Sequence, residues 1–165
     1  MYVRFMVLGD PKGKERPKFA RRGRFVQAYT PKQTVAYERR VKESYLEDCS
    51  SVYLEGPIEA RITGIFKVPK SVSKKKKQEL LGDYCLTKPD GDNIGKIILD
   101  PLNNVAYDDD RQVCDLSVTK IYGEIPRVVV ELEEINKKPK EKCICPIHFY
   151  DDEGNEIDEL FRRKG

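Results

Sequence analysis

Lys88 to Gln112 reads KPDGDNIGKIILDPLNNVAYDDDRQ, and the fold turns on how this stretch divides. Its carboxylates stand at Asp90, Asp92 and Asp100 and then in the run Asp108 to Asp110, gathered around one lysine, Lys96. Pro89 disfavours the helical region at Lys88, so the chain is expected to arrive extended, with Asp90 and Asp92 pointing the same way. From Asp92, a good N-cap, Ile94, Ile97, Ile98 and Leu99 recur at helical spacing. In such a helix Lys96 lies one turn beyond Asp92, and Asp100 one turn beyond Lys96, where it can serve as the helical ion-pair partner of that amine. Pro101 removes a helical hydrogen bond, and Asn103-Asn104 can leave through the left-handed region, so the helix is expected to bend or end there. The chain then turns at Val105 to Tyr107 and delivers three aspartates to the mouth of a strand starting near Gln112.

Working outward, YVRFMVLG is a short β-branched and aromatic run closed by Gly9, which predicts a strand. DPKGKERPKFARRGRFV has glycine and proline punctuation and no helical period, and is read as a long exposed loop or an irregular hairpin around Arg22-Gly23. A helix follows, with Thr30 as cap, Pro31 in the first turn and Gln33 closing a capping box. Its apolar stripe is expected to run through Val35, Tyr37, Val41, Tyr45 and Leu46, with Arg39, Arg40, Lys42 and Glu43 outward. Ile58, Ala60 and Ile62 alternate with Glu59, Arg61 and Thr63, the period of a half-buried strand that continues through Phe66 and Val68. SVSKKKKQELLGD predicts a short basic helix with a serine cap and a closing glycine. QVCDLSVTKIYG and PRVVVELEEI predict two strands joined around Gly123 to Pro126 as an antiparallel hairpin. The class is therefore α+β, a mixed α/β layer protein in which a small mixed sheet with a hairpin packs against two or three helices. Residues 1–135 form one domain. Residues 136–165 lose the apolar period and read as a C-terminal appendage.

The chain has 165 residues, of which 39% are hydrophobic and 36% charged, the composition of a soluble domain with a real core. No apolar run approaches the length a bilayer demands, and MYVRFMVLGD is too polar for a signal peptide. A cytoplasmic protein with no membrane partner is expected. Five cysteines, an odd number without a secretion signal, predict reduced thiols.

The net charge is only +3, but it is unevenly placed. Lys12 to Arg24 holds seven basic residues against one acid, Lys67 to Lys77 six lysines and no acid, and Asp83 to Asp115 eight aspartates against three bases. A polyanion would be drawn to the first two segments and repelled by the third unless a cation sits between. An aspartate run alone is ordinarily a solvated loop. Here Asp-x-Asp-Asn, a lysine one turn on and further acids before a strand stand between two basic segments, and carboxylates converging in a cleft would need a counter-ion. Two or three oxygen ligands completed by water and substrate phosphate suit Mg²⁺, or Mn²⁺ in its place. With no histidine in the stretch, zinc is not expected, and phosphate chemistry is favoured over peptide hydrolysis. Cys143, Cys145 and His148 are one ligand short of a zinc site and read as tail residues. Phe19 and Phe25 lie among the cations of the first basic segment, a composition suited to phosphate contacts with stacking on an unpaired base. Lys14, Arg16, Lys18, Arg21, Arg22 and Arg24 are its candidate DNA contacts, with Lys74 and Lys75 as auxiliary ones.

KPDGDNIGKIILDPLNNVAYDDDRQV resembles the signature of the RusA family of Holliday junction resolvases, small Mg²⁺-dependent endonucleases encoded mostly by prophages and phages. The shared pattern is Pro-Asp-x-Asp-Asn, a lysine four residues past the second aspartate, an Asp-x-Leu-Asn step and an Asp-Asp-x-Gln-Val close, and GDPKGKERPKFARRG also resembles the family's N-terminal part. The resemblance spans about Val3 to Ile135. It implies that Asp90, Asp92 and Asp110 are metal ligands with Asp109 beside them, that Lys96 is the catalytic lysine, and that Asn93 positions the backbone or a scissile phosphate. It also implies a homodimer that cuts four-way DNA symmetrically in recombination and repair, with no small-molecule cofactor. The other readings are a non-catalytic branched-DNA-binding module and a broader flap or RNA nuclease. Asp108 leaves the assignment within the run open by one place, and Pro101 and Asn104 stand where the family commonly has an alanine-like residue and a glycine.

Overall fold

The computed structural model describes residues 1–22, 25–49 and 52–135. Arg24 and residues 136–165, with Cys143, Cys145 and His148, lie outside them. Among the described residues, six strands and three α-helices follow in the order β1 (Tyr2–Leu8), β2 (Lys18–Arg22), β3 (Phe25–Tyr29), α1 (Lys32–Cys49), β4 (Ile58–Lys67), α2 (Lys74–Leu80), α3 (Gly91–Leu99), β5 (Val113–Gly123) and β6 (Arg127–Glu134). This is the expected α+β class. Four strands form one mixed sheet in the order β1-β6-β4-β5, and β2 and β3 form a separate two-stranded ribbon.

Strict alternation builds the sheet's inner face. β1 buries Val3, Phe5 and Val7, β6 buries Val128, Val130 and Leu132, and β4 buries Ile58, Ala60 and Ile62. β5 runs parallel to β4, and a shift in register between Ile58 and Glu59 passes over Cys114, so that Leu116 comes to lie beside Ala60 and Val118 beside Ile62. A one-residue offset moves a whole strand's side chains to the other face, so this bulge sets what β5 shows to α3.

The expected hairpin between β5 and β6 does not form. β4 lies between them, parallel to β5 and antiparallel to β6. Glu124, Ile125 and Pro126 carry no Asn-Gly type turn signal, and three extended residues reach about 10 Å, enough to step across one strand. Gly123 permits the step, because a Cβ there would overlap the side chain of Ile65. Among the described residues the hairpin is the β2–β3 ribbon, whose register pairs Arg22 with Phe25.

α1 lies on the inner face through Tyr37, Val41 and Tyr45, with Phe5 and Tyr45 in an edge-to-face contact at 5.3 Å between ring centres. The helix is counted from Lys32, one residue later than expected, and the Pro31 carbonyl accepts from Val35 N–H at 3.2 Å. Val35 and Leu46, expected on the buried stripe, are exposed, and Thr34 is buried in their place. A rigid i, i+4 row through 37, 41 and 45 leaves 35 and 46 off the sheet-facing side. α1 also closes the free edge of β1. Asp48 accepts from Met6 N–H at 3.2 Å, Arg40 donates to Leu8 O at 3.3 Å and Cys49 Sγ lies 3.6 Å from Arg4 O. α3 completes the core with Ile94, Ile97, Ile98 and Leu99. Each such side chain contributes about 1.5–3 kcal/mol relative to leaving it in water.

Candidate active site

α3 opens at Asp90, whose extended backbone makes it the N-cap, although its side chain makes no capping hydrogen bond. Asp92, read from sequence as the cap, sits instead in the first turn. Pro89 sets this start, since it bars the preceding residue from helix and lets the next one open the turn. Asp90 and Asp92 thus flank Gly91 at the positive end of a nine-residue helix, where carboxylates are favoured. Lys96 follows one turn on, its Nζ 3.5 Å from Asp92 Oδ2, with both side chains more than half exposed. Close packing on β5 holds the helix: a Cβ at Gly91 would lie 3.7 Å from Val118, and one at Gly95 would lie 3.4 Å from Leu116. α3 therefore runs antiparallel to β5.

At the far end, the helix stops at Leu99 and a short 3-10 turn takes in Asp100, Pro101 and Leu102. Asn104 leaves through the left-handed region at φ 58°, as the sequence predicts. Buried Tyr107 donates its hydroxyl to Leu99 O at 2.8 Å. Burial pushes that phenol's pKa far up, and the charges of Asp110 and Asp100 push it the same way, which places both acids near this end of α3. The aspartate run itself is differentiated. Asp108 accepts from the Tyr53 hydroxyl. Asp109 caps a second 3-10 turn, Asp110 to Gln112, taking Arg111 N–H at 2.9 Å and Arg111 Nε at 2.7 Å. Those hydrogen bonds hold its carboxyl below the usual range. Asp110 is exposed and makes no ion pair among the described residues.

Asp100, expected to pair with Lys96, pairs instead with Lys14, which also lies 3.0 Å from Glu38 of α1. The Lys14 backbone N–H donates to Asn93 O at 2.9 Å. Lys14 is therefore committed to the protein on two sides. The adjoining loop presses onto the start of α3, where a Cβ at Gly13 would sit 2.6 Å from Pro89 Cβ. Loop and helix enclose an open cleft of about 460 Å³ lined by Lys12, Gln33, Lys88, Asp90 and Asn93.

Asp90, Asp92 and Lys96 are brought together on α3, and Asp110 and Asp109 stand toward its other end, a helix length of about 13 Å away. Among the described residues no three acidic, imidazole or thiol groups converge as a metal cage. The open donors are all carboxylate oxygens, a set that fits a hard divalent cation, and Mg²⁺ characteristically takes one or two carboxylates and fills the rest with water and phosphate. Arg16, Lys18, Arg21, Phe19 and Phe25 are exposed on or beside the β2–β3 ribbon, with Lys18 3.4 Å from Glu15. Lys74 and Lys75 are exposed on the first turn of α2, which Ser73 caps. Sequence reasoning missed Glu38 and Tyr53. Glu38 falls in a helix stripe that reads as solvent-facing, and its only signal was its place one position after buried Tyr37.

The sequence model described as Endodeoxyribonuclease RusA matches residues 9–133. The uncharacterized protein YqaN of Bacillus subtilis (strain 168) is 33% identical over 138 residues, covering 81% of this chain and 97% of the relative.

Proposed function

The chain belongs to the RusA endodeoxyribonuclease family, and from that premise we propose that it is a Mg²⁺-dependent resolvase that cuts Holliday junctions symmetrically as a homodimer in the cytoplasm. The observation that carries this reading is the start of α3. Two carboxylates unclaimed by capping bracket a helix N-terminus, with an ammonium 3.5 Å from one of them.

Asp90 and Asp92 would hold the ion, while Asp110, the third acid that the family resemblance implies, stands too far along α3 to share that ion within one chain, and Asp109 is drawn toward Arg111. When bound, Mg²⁺ supplies an activated water and a Lewis acid for the phosphate. Lys96 neutralises charge that builds on the phosphate oxygens or the leaving oxygen, which is the effect preorganised cations contribute most strongly. Asn93 faces the cleft between the basic loop and α3 and orients the scissile phosphate there. The exposed ribbon supplies backbone contacts through Arg16, Lys18 and Arg21 and stacking surfaces through Phe19 and Phe25. Two copies related by a twofold axis match the symmetry of a four-way junction.

The test is a synthetic four-way junction incubated with the full chain in Mg²⁺ and, separately, in EDTA. Paired symmetric nicks are expected in Mg²⁺ and none in EDTA, and Asp92→Asn should lower the rate about 100-fold or more while junction binding persists, since a lost ligand carboxylate removes several kcal/mol of transition-state stabilisation. Tight, salt-sensitive binding without nicking would identify a non-catalytic module. Equal cutting of flaps or RNA would identify a broader nuclease.

A further inference from the structure

Lys120 lies on the α3-facing side of β5, two residues beyond Val118, the side chain on which Gly91 packs. Its ammonium donates to the Thr87 carbonyl at 2.6 Å and sits 5.8 Å from the centre of the Phe66 ring. Thr87 belongs to the stretch that carries the chain from the β5 rim to Asp90. Up to Cys85 that stretch is laced to β5 by its backbone: Gly82 N–H donates to Tyr122 O, Tyr122 N–H to Asp83 O and Cys85 N–H to Lys120 O, each at 2.9 Å. Beyond Cys85 the lacing stops. Among the described residues, the one backbone hydrogen bond made by residues 86–89 is the Thr87 carbonyl taking Lys120. The Thr87 hydroxyl is held as well, 3.1 Å from the Sγ of buried Cys85. Lys88 and Pro89 follow, and proline restricts both its own backbone and that of the residue before it. Gly13 closes on Pro89 from the other side, leaving no room for a Cβ. With Thr87 fixed, the chain therefore has few ways to reach Asp90.

We propose that Lys120 is a positioning residue for the reaction: its bond to Thr87 O sets the path of the chain into α3, and with it where Asp90, Asp92 and Asn93 stand. The proposal rests on the nuclease reading above. It gives Lys120 neither a phosphate nor a reacting atom to hold. Methionine in place of Lys120 keeps most of the stem over Phe66 and removes the donor, whereas arginine keeps a charged donor.

The experiment compares the full-length wild type with Lys120→Met and Lys120→Arg by three measurements: single-turnover cleavage of a four-way junction in Mg²⁺; junction affinity in Ca²⁺ across a range of salt; and the rate at which N-ethylmaleimide labels Cys85, distinguished by peptide mass spectrometry from the other cysteines. A misplacement of about 1 Å costs on the order of 100-fold in rate. Lys120→Met should cut about 10–100-fold more slowly, with junction affinity and its salt dependence unchanged. Its Cys85 should label about tenfold faster or more, the local opening that losing a charged hydrogen bond permits. Lys120→Arg should restore most of the rate and most of the protection. Weaker binding with a salt slope reduced by about 0.9 would make Lys120 a phosphate contact. Slower cutting with wild-type labelling of Cys85 would make it a catalytic cation. Parallel loss of melting temperature, affinity and rate that arginine does not restore would make it merely structural. Each of these overturns the proposal. If Lys120→Met does not fold, Lys120→Gln, whose shorter side chain falls short of Thr87, carries the same comparison. A wild-type chain that does not cut overturns the nuclease reading and this role with it, whereas wild-type cutting with an unaltered Lys120→Met overturns this role alone.

Discussion

Lys14 illustrates how a side chain read from sequence as a DNA contact can be used internally. Partial burial works against its charge, but the hydrogen bonds it donates to Asp100 and Glu38 outweigh that and raise its pKa above the ordinary lysine value. A raised folded-state pKa means the pair's stabilisation is full below the unfolded value near ~10.4 and is lost only as pH rises through the folded one. Lys14→Ala should then cost about 1–2 kcal/mol at neutral pH, because it leaves two carboxylates facing each other across a loop, and urea unfolding should show the deficit persisting to pH 9. Asp109 has the opposite sign. Its lowered pKa means that what it contributes to the second 3-10 turn is present above the unfolded value near ~3.9 and lost as pH falls through the folded one. At this scale the sequence was legible where local chemistry decides: Asn104 in the left-handed region and Lys96 one turn from Asp92. It was silent on Lys14, because the acids that claim it come from α1 and from the end of α3, 24 and 86 positions further along the chain.

Among the elements, the proposed chemistry falls on α3 and the proposed DNA contacts on the β2–β3 ribbon. α3 could be read almost whole because proline punctuates both ends and four apolar residues keep helical spacing, and only its cap moved, from Asp92 to Asp90. The ribbon was legible as exposed but not as regular, since neither strand buries a face that would leave a period in the sequence; every residue of β3 is exposed. Phe19 and Phe25, 73% and 79% exposed, contribute little to the fold and are free to meet DNA. Replacing both by alanine should leave the melting temperature unchanged and weaken junction binding about tenfold or more, as lost base stacking would, measured by gel shift at fixed salt.

For the whole molecule, the strand pattern gave four sheet strands, with the inward face of β4 read from its alternation, but the wrong neighbours. Alternation states which side of a strand is apolar, not which strand lies next to it, and so β4 between β5 and β6 was beyond reach. Every described element ends by Glu134, and Ile135 N–H is bonded to Pro57 O at 2.7 Å. A chain ended after Ile135 should therefore keep both its melting temperature and its junction cleavage, and a loss of either would assign the remaining residues to the working enzyme. The sheet's two rims carry a last implication, for how copies of this chain could mispair. On the β1 rim, Asp48, Cys49 and Arg40 occupy backbone groups that a foreign strand would need, and on the β5 rim the 82–85 segment bonds the backbone of Lys120 and Tyr122. Among the described residues, what stays available for fibril-type growth is the first half of β5, where four consecutive exposed residues, Cys114 to Ser117, include one acidic side chain, and that aspartate acts as a gatekeeper against stacking at this rim.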